Sequence, residues 1–140
     1  MTPKNTIRYI KKLCLVVFSN IVHLMAPTLP RIATTQTMVE RSLGVGIVSV
    51  YGTKSDGFLG KITASGERLS STLLTVAHRT LPFGTILKII KTAHGRIVFA
   101  RVTDRGPFIK NRVLDLNKPT ADALGIKGLA KIEYRTIEYN

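Results

Sequence analysis

From Val45 onward the chain is a succession of short apolar runs cut by turn signals, and this rhythm limits the fold more than any other feature. VGIVSVY (45–51) alternates with the period of a strand. LLTVAH (73–78), TILKIIK (85–91), RIVFARVTD (96–104), RVLDLN (112–117) and GLAKIEYRTIEY (128–139) predict five more strands. Gly95 lies in the gap TAHG and suits a hairpin turn between two of them. The stretch 52–67 is rich in Gly and Ser and reads as a long ordered loop. KPTADALG (118–125) predicts a short helix, with Asn117 as its cap, Pro119 in the first turn and Gly125 as its stop. Six strands and one short helix in about 95 residues predict a mainly β domain closed as a small barrel, starting near Gly44.

At 140 residues the chain fits one such domain plus a short appendage. Its 21 Lys and Arg against 8 Asp and Glu give a net charge of +13, which favours a polyanionic partner. Nucleic acid is the weaker choice, because the cations after residue 50 are scattered and no aromatic stripe runs between them. Four cations lie in the first twelve residues, and no acid precedes Glu40. The mostly apolar LCLVVFSNIVHLMA (13–26) follows, and together these match the opening of a secretory signal. The expected division is 1–28 as signal peptide or uncleaved anchor, 29–44 as linker and 45–140 as the barrel. Cys14 lacks the small residues that precede a lipid-modified cysteine, so lipidation is not expected. The protein is thus expected to be exported, periplasmic or envelope-associated.

Chemistry-bearing residues are few. The three His have no metal-ligand spacing, and CxxC, HExxH, phosphate loops and nucleophile elbows are lacking, so no metal or cofactor is expected. VTDRGPF (102–108) ends a strand in an acid. Strand alternation puts Val98, Ala100, Val102 and Asp104 on one face, with Asp104 at the mouth of the core. A carboxyl partly desolvated there can act as a general acid. An Asp that simply opens a Gly-Pro turn is the alternative, and from this segment alone the better one. Glu67 follows a Ser-Gly turn in the long loop, and His78 ends a strand. Each could equally be structural.

TASGE (63–67), TVAHRTLPFGT (75–85), DRGPF (104–108), RVLDLN (112–117) and ADALG (121–125) occur in an order and spacing that resembles the RlpA-like (rare lipoprotein A) family. The resemblance covers about residues 45–135. It implies a six-stranded double-psi β-barrel and a septal lytic transglycosylase. Such enzymes cut the β-1,4 bond between N-acetylmuramic acid and N-acetylglucosamine without water, leaving 1,6-anhydro ends, with glycan lacking stem peptides as the expected preference. Carried onto this chain, it implies Asp104, Glu67 and His78 as catalytic residues, with Asp104 as acid and then base. Arg105, Thr63, Ser65 and Tyr51 are the implied substrate contacts, Arg105 having loop-holding as its other reading. The implied partners are peptidoglycan strands and division or cell-wall machinery, with the protein a monomer.

Two positions depart from the family pattern: Val50 stands where a Trp is usual, and Leu59 where a His is frequent. About fifteen residues follow ADALG, too few for the glycan-binding SPOR domain that many members carry. A non-catalytic, expansin-like wall-binding or wall-loosening module is therefore the second reading. A hydrolase with Asp104 and Glu67 as its carboxylate pair is the third.

Overall fold

The computed structural model describes residues 36–140. Six strands are formed: β1 (Met38–Tyr51), β2 (Thr75–Ala77), β3 (Ile86–Lys91), β4 (Ile97–Asp104), β5 (Arg112–Asn117) and β6 (Ala130–Tyr139). They close into a barrel in the order β1-β5-β2-β4-β3-β6. The β1/β5 and β2/β4 pairs are parallel and the others antiparallel. Closure leaves no open sheet edge, and the inward side chains of all six strands supply one core. Val48, Val76, Leu87, Ile89, Val98, Ala100, Val102, Leu114, Leu116 and Ile132 fill it.

One helix, α1 (Lys118–Leu124), follows β5 directly and covers the core with Ala121 and Leu124. Its expected caps are present. Asn117 Oδ1 accepts from the Thr120 N–H, Pro119 lies in the first turn, and Gly125 closes the helix with φ 64°. Asn117 does more than cap. Fully buried, it also accepts from the Thr75 N–H and donates to the Ser70 and Leu73 carbonyls, tying the start of β2 to the helix.

The strand boundaries follow the sequence pattern closely, with one correction. Residues 38–44, expected within a linker, are the first half of β1 and pair with β6 from Tyr139 to Tyr134. Most of that half-strand is exposed, so no buried face imposes a period on its sequence. The expected signal or anchor (1–28) lies outside the described residues. Among the described residues, no helix is long and apolar enough to cross a membrane.

Both parallel pairs are irregular. In β5 the register against β1 skips Val113. In β4 it skips Thr103: Val76 pairs with Val102, but Ala77 pairs with Asp104. An extra residue in a strand reverses the face that follows it.

Candidate active site

The Thr103 bulge corrects the expected placement of Asp104. Unbroken alternation puts Asp104 on the core face with Val102. With the extra residue, Asp104 pairs with Ala77 and shares the outer face with it. Asp115 pairs with Ala77 from the other side, and Ser49 pairs with Asp115. A row Asp104–Ala77–Asp115–Ser49 therefore crosses β4, β2, β5 and β1 on the outside of the barrel. At the spacing of neighbouring strands, the two acids stand about 10 Å apart at their Cα atoms.

Asp104 is fixed by the TASGE loop. Its Oδ1 accepts from the Ala64 N–H at 3.0 Å and from the Arg105 N–H at 2.9 Å. The loop holds its own shape: the Thr63 hydroxyl donates to the Glu67 carbonyl and bonds the Ser65 hydroxyl, and the Ser65 N–H donates to the Thr103 carbonyl. Thr63 is buried in this turn. Its hydroxyl is thus engaged in shaping the loop, while Ser65 is half-buried beside Glu67.

Glu67 belongs to the same loop and is paired. Both its oxygens accept from the Arg101 guanidinium, at 2.8 and 2.9 Å. This fork holds the Glu67 carboxyl below its ordinary range. Arg101, outward-facing on β4, had drawn no attention in the sequence because nothing local marks its partner 34 positions away.

Tyr51 joins the group from the end of β1. No acceptor meets hydrogen-bonding geometry at its buried hydroxyl. Burial, and then the Asp104 and Asp115 carboxylates, push its ionisation well above that of an ordinary phenol. Its ring meets Phe58 edge-on, with centroids 6.4 Å apart. Asp115, which sequence reasoning passed over, accepts a hydrogen bond from the Ser49 hydroxyl. Its one signal was a polar residue on the outward phase of VLDLN. Phe108 is 83% exposed and borders the same group through Gly106.

His78 does not join these acids. One residue beyond Ala77, it turns to the opposite side, with its ring 6.3 Å from the core residue Tyr134. Its Nδ1 accepts from the Thr80 and Leu81 N–H groups at 3.1 and 3.0 Å, and only its backbone N–H reaches Asp104, at the carbonyl. Burial first, and then Arg105 and Arg79, hold its pKa below the ordinary histidine value, which favours the neutral ring. Its bonds organise the 78–83 loop.

Arg105 is bonded to the 78–83 loop. Its Nη1 donates to the His78 and Leu81 carbonyls, and its guanidinium stacks 3.8 Å from the Phe83 ring centre. Arg79 ties down the other side, donating to the Pro107, Ile109 and Arg112 carbonyls. Among the described residues, no group of His, Cys, Asp and Glu is arranged to hold a metal.

Residues 44–134 match a family model described as "Lytic transglycolase". The chain belongs to this family, as an RlpA-like double-psi β-barrel. It is 49% identical over 83 residues to a probable endolytic peptidoglycan transglycosylase RlpA of Nostoc sp., covering 59% of this chain and 22% of that protein. An endolytic peptidoglycan transglycosylase RlpA of Rickettsia felis is 44% identical over 96 residues, covering 67% of this chain and 41% of the relative. The chain thus spans less than half the length of either. The fold is also that of an apo expansin crystal structure from Clavibacter michiganensis, with a TM-score of 0.54 at 19% identity over 71% of this chain and 51% of that one.

Proposed function

We propose that this RlpA-like barrel is an endolytic peptidoglycan lytic transglycosylase, exported to the cell envelope, and that Asp104 is its acid–base residue. The names of its relatives support the reaction class. The observation that carries the reading is the setting of Asp104 on the outer face, where two backbone N–H groups grip one carboxylate oxygen. The gripped oxygen fixes the orientation, and the second oxygen remains for proton transfer.

The chemistry requires one such group. As the bond between muramic C1 and the glycosidic oxygen breaks, the leaving oxygen takes a proton from Asp104. The C6 hydroxyl then attacks C1, and its proton returns to Asp104. No water enters, and the product carries a 1,6-anhydro ring. Glycan lacking stem peptides is the proposed substrate. Hydrolysis by an Asp104–Glu67 pair fits less well, since Arg101 engages both Glu67 oxygens and keeps that carboxyl ionised.

The test is incubation of the purified chain with stem-free glycan and product analysis by mass. Anhydro ends that vanish in Asp104→Asn support the proposal. Reducing ends would make the protein a hydrolase, and binding without products would make it a wall-binding module.

A further inference from the structure

We propose that Asp115 is a further catalytic residue, the carboxylate that stabilises positive charge on the sugar as the glycosidic bond opens. The inference rests on the transglycosylase reading. Between departure of the leaving oxygen and attack of O6, muramic C1 and its ring oxygen share a positive charge. That charge calls for a fixed, uncompensated anion close by.

Three carboxylates act on the Tyr51 hydroxyl, and their settings differ. Glu67 is neutralised by the two-pronged bond to Arg101. Asp104 carries the proton that moves. Asp115 accepts from a neutral donor, the Ser49 hydroxyl, and belongs to none of the ion pairs among the described residues. No cation among those pairs offsets it.

Its surroundings give it access to a sugar. The Asp115 Oδ2 lies 3.4 Å from where a Cβ on Gly106 would stand, and the Phe108 ring lies 3.7 Å from the same point. Glycine at 106 keeps a side chain from standing between this carboxylate oxygen and the edge of the exposed Phe108 ring. A pyranose stacked on Phe108 would present its ring edge to Oδ2. Asp104 ends the strand on the far side of Ala77, so acid and anion flank one saccharide position.

The experiment compares wild type, Asp115→Asn and Glu67→Gln in the full chain on stem-free glycan. The same proteins are then titrated with a cationic N-acetylglucosamine-type iminosugar and with a neutral N-acetylglucosamine oligomer. Asp115→Asn is expected to lower kcat about 100-fold while leaving KM within about threefold. It should weaken the iminosugar about tenfold and leave the neutral oligomer unchanged, a discrimination that a purely structural role cannot produce. An Asp115→Asn protein that turns over within about threefold of wild type, or that loses both ligands alike, overturns the inference and leaves the transglycosylase reading standing. Failure of the wild-type chain to make anhydro ends overturns that reading and the inference with it. Should Asp115→Asn not fold, Ser49→Ala removes the donor and keeps the carboxylate. A fall in kcat is then expected, and an unchanged kcat overturns the inference.

Discussion

Two groups of charged residues sit on the outside of this barrel, and they are built on opposite plans. Across β1, β3 and β6, Glu40 receives Lys88 and Arg135, while Arg135 also grips Glu133. There each acid has a cation and each cation an acid. Across β1, β5, β2 and β4, Asp104 and Asp115 receive backbone N–H groups or a hydroxyl and no cation, and the Tyr51 hydroxyl is buried beside Asp104. The first plan satisfies every charge and leaves nothing to do chemistry. The second leaves charge and hydrogen-bonding capacity in reserve. Salt bridges near the surface add little stability, so the first group is a half-buried seam in which charges offset one another. The second group holds a reserve that a substrate can use.

The largest expected effect, and the one that would break the contrast if absent, is on Asp104. Asp104→Asn should cut production of anhydro ends by about 1,000-fold, within the range for losing a general acid–base group, with little change in melting temperature. A variant of near-wild-type activity would remove Asp104 from the chemistry.

His78→Ala comes next and acts through the loop. It frees the Thr80 and Leu81 N–H groups, which should lower stability by about 1–3 kcal/mol in denaturant unfolding. Because the folded pKa of His78 is depressed, its neutral form favours folding above the ordinary histidine pKa. That contribution is lost as pH falls through the lower folded value, so the wild-type stability curve should bend there and the variant curve should not.

Glu67→Gln breaks the fork to Arg101 and should reduce activity by about tenfold, chiefly by loosening the loop that grips Asp104. Its folded pKa is also depressed. The ion pair therefore stabilises the fold above the ordinary carboxyl value of 4.5 and is lost as pH falls through the lower folded value. Acid titration of stability should be flatter in Glu67→Gln than in wild type.

Tyr51→Phe sharpens the comparison from the stability side. Because this buried hydroxyl meets no acceptor in good geometry, its removal should change stability by less than about 1 kcal/mol. If the hydroxyl serves the substrate, turnover falls while stability does not. The smallest effect is expected for Lys88→Met in the seam, under about 1 kcal/mol in unfolding and no change in product formation. A marked loss of activity there would erase the distinction between the two groups.

Much of the barrel was legible in the chain. The phases of VGIVSVY, TILKIIK and RVLDLN identify their inward residues, and Asn117, Pro119 and Gly125 mark the helix between β5 and β6, because caps and alternation are local properties. The strand half at 38–44 was hidden because water covers most of it and no period is imposed. Within the site, the TASGE and DRGPF motifs drew attention to Glu67 and Asp104. His78 was grouped with them, yet its ring serves its own loop, an outcome set by which way one residue beyond β2 turns.

Composition and pattern alone determined a basic chain with a small, closed, mainly β domain, since hydrophobic period and turn chemistry act over a few residues. Which acids share a face was decided only in three dimensions. One unpaired residue, Thr103, turns Asp104 from the core to the surface, and register across Ala77 brings Asp115 into its row. Partners such as Glu67 and Arg101 meet 34 positions apart through a loop folded back on a strand. Bulges and parallel register depend on how distant strands fit together, and no local stretch of sequence carries that information.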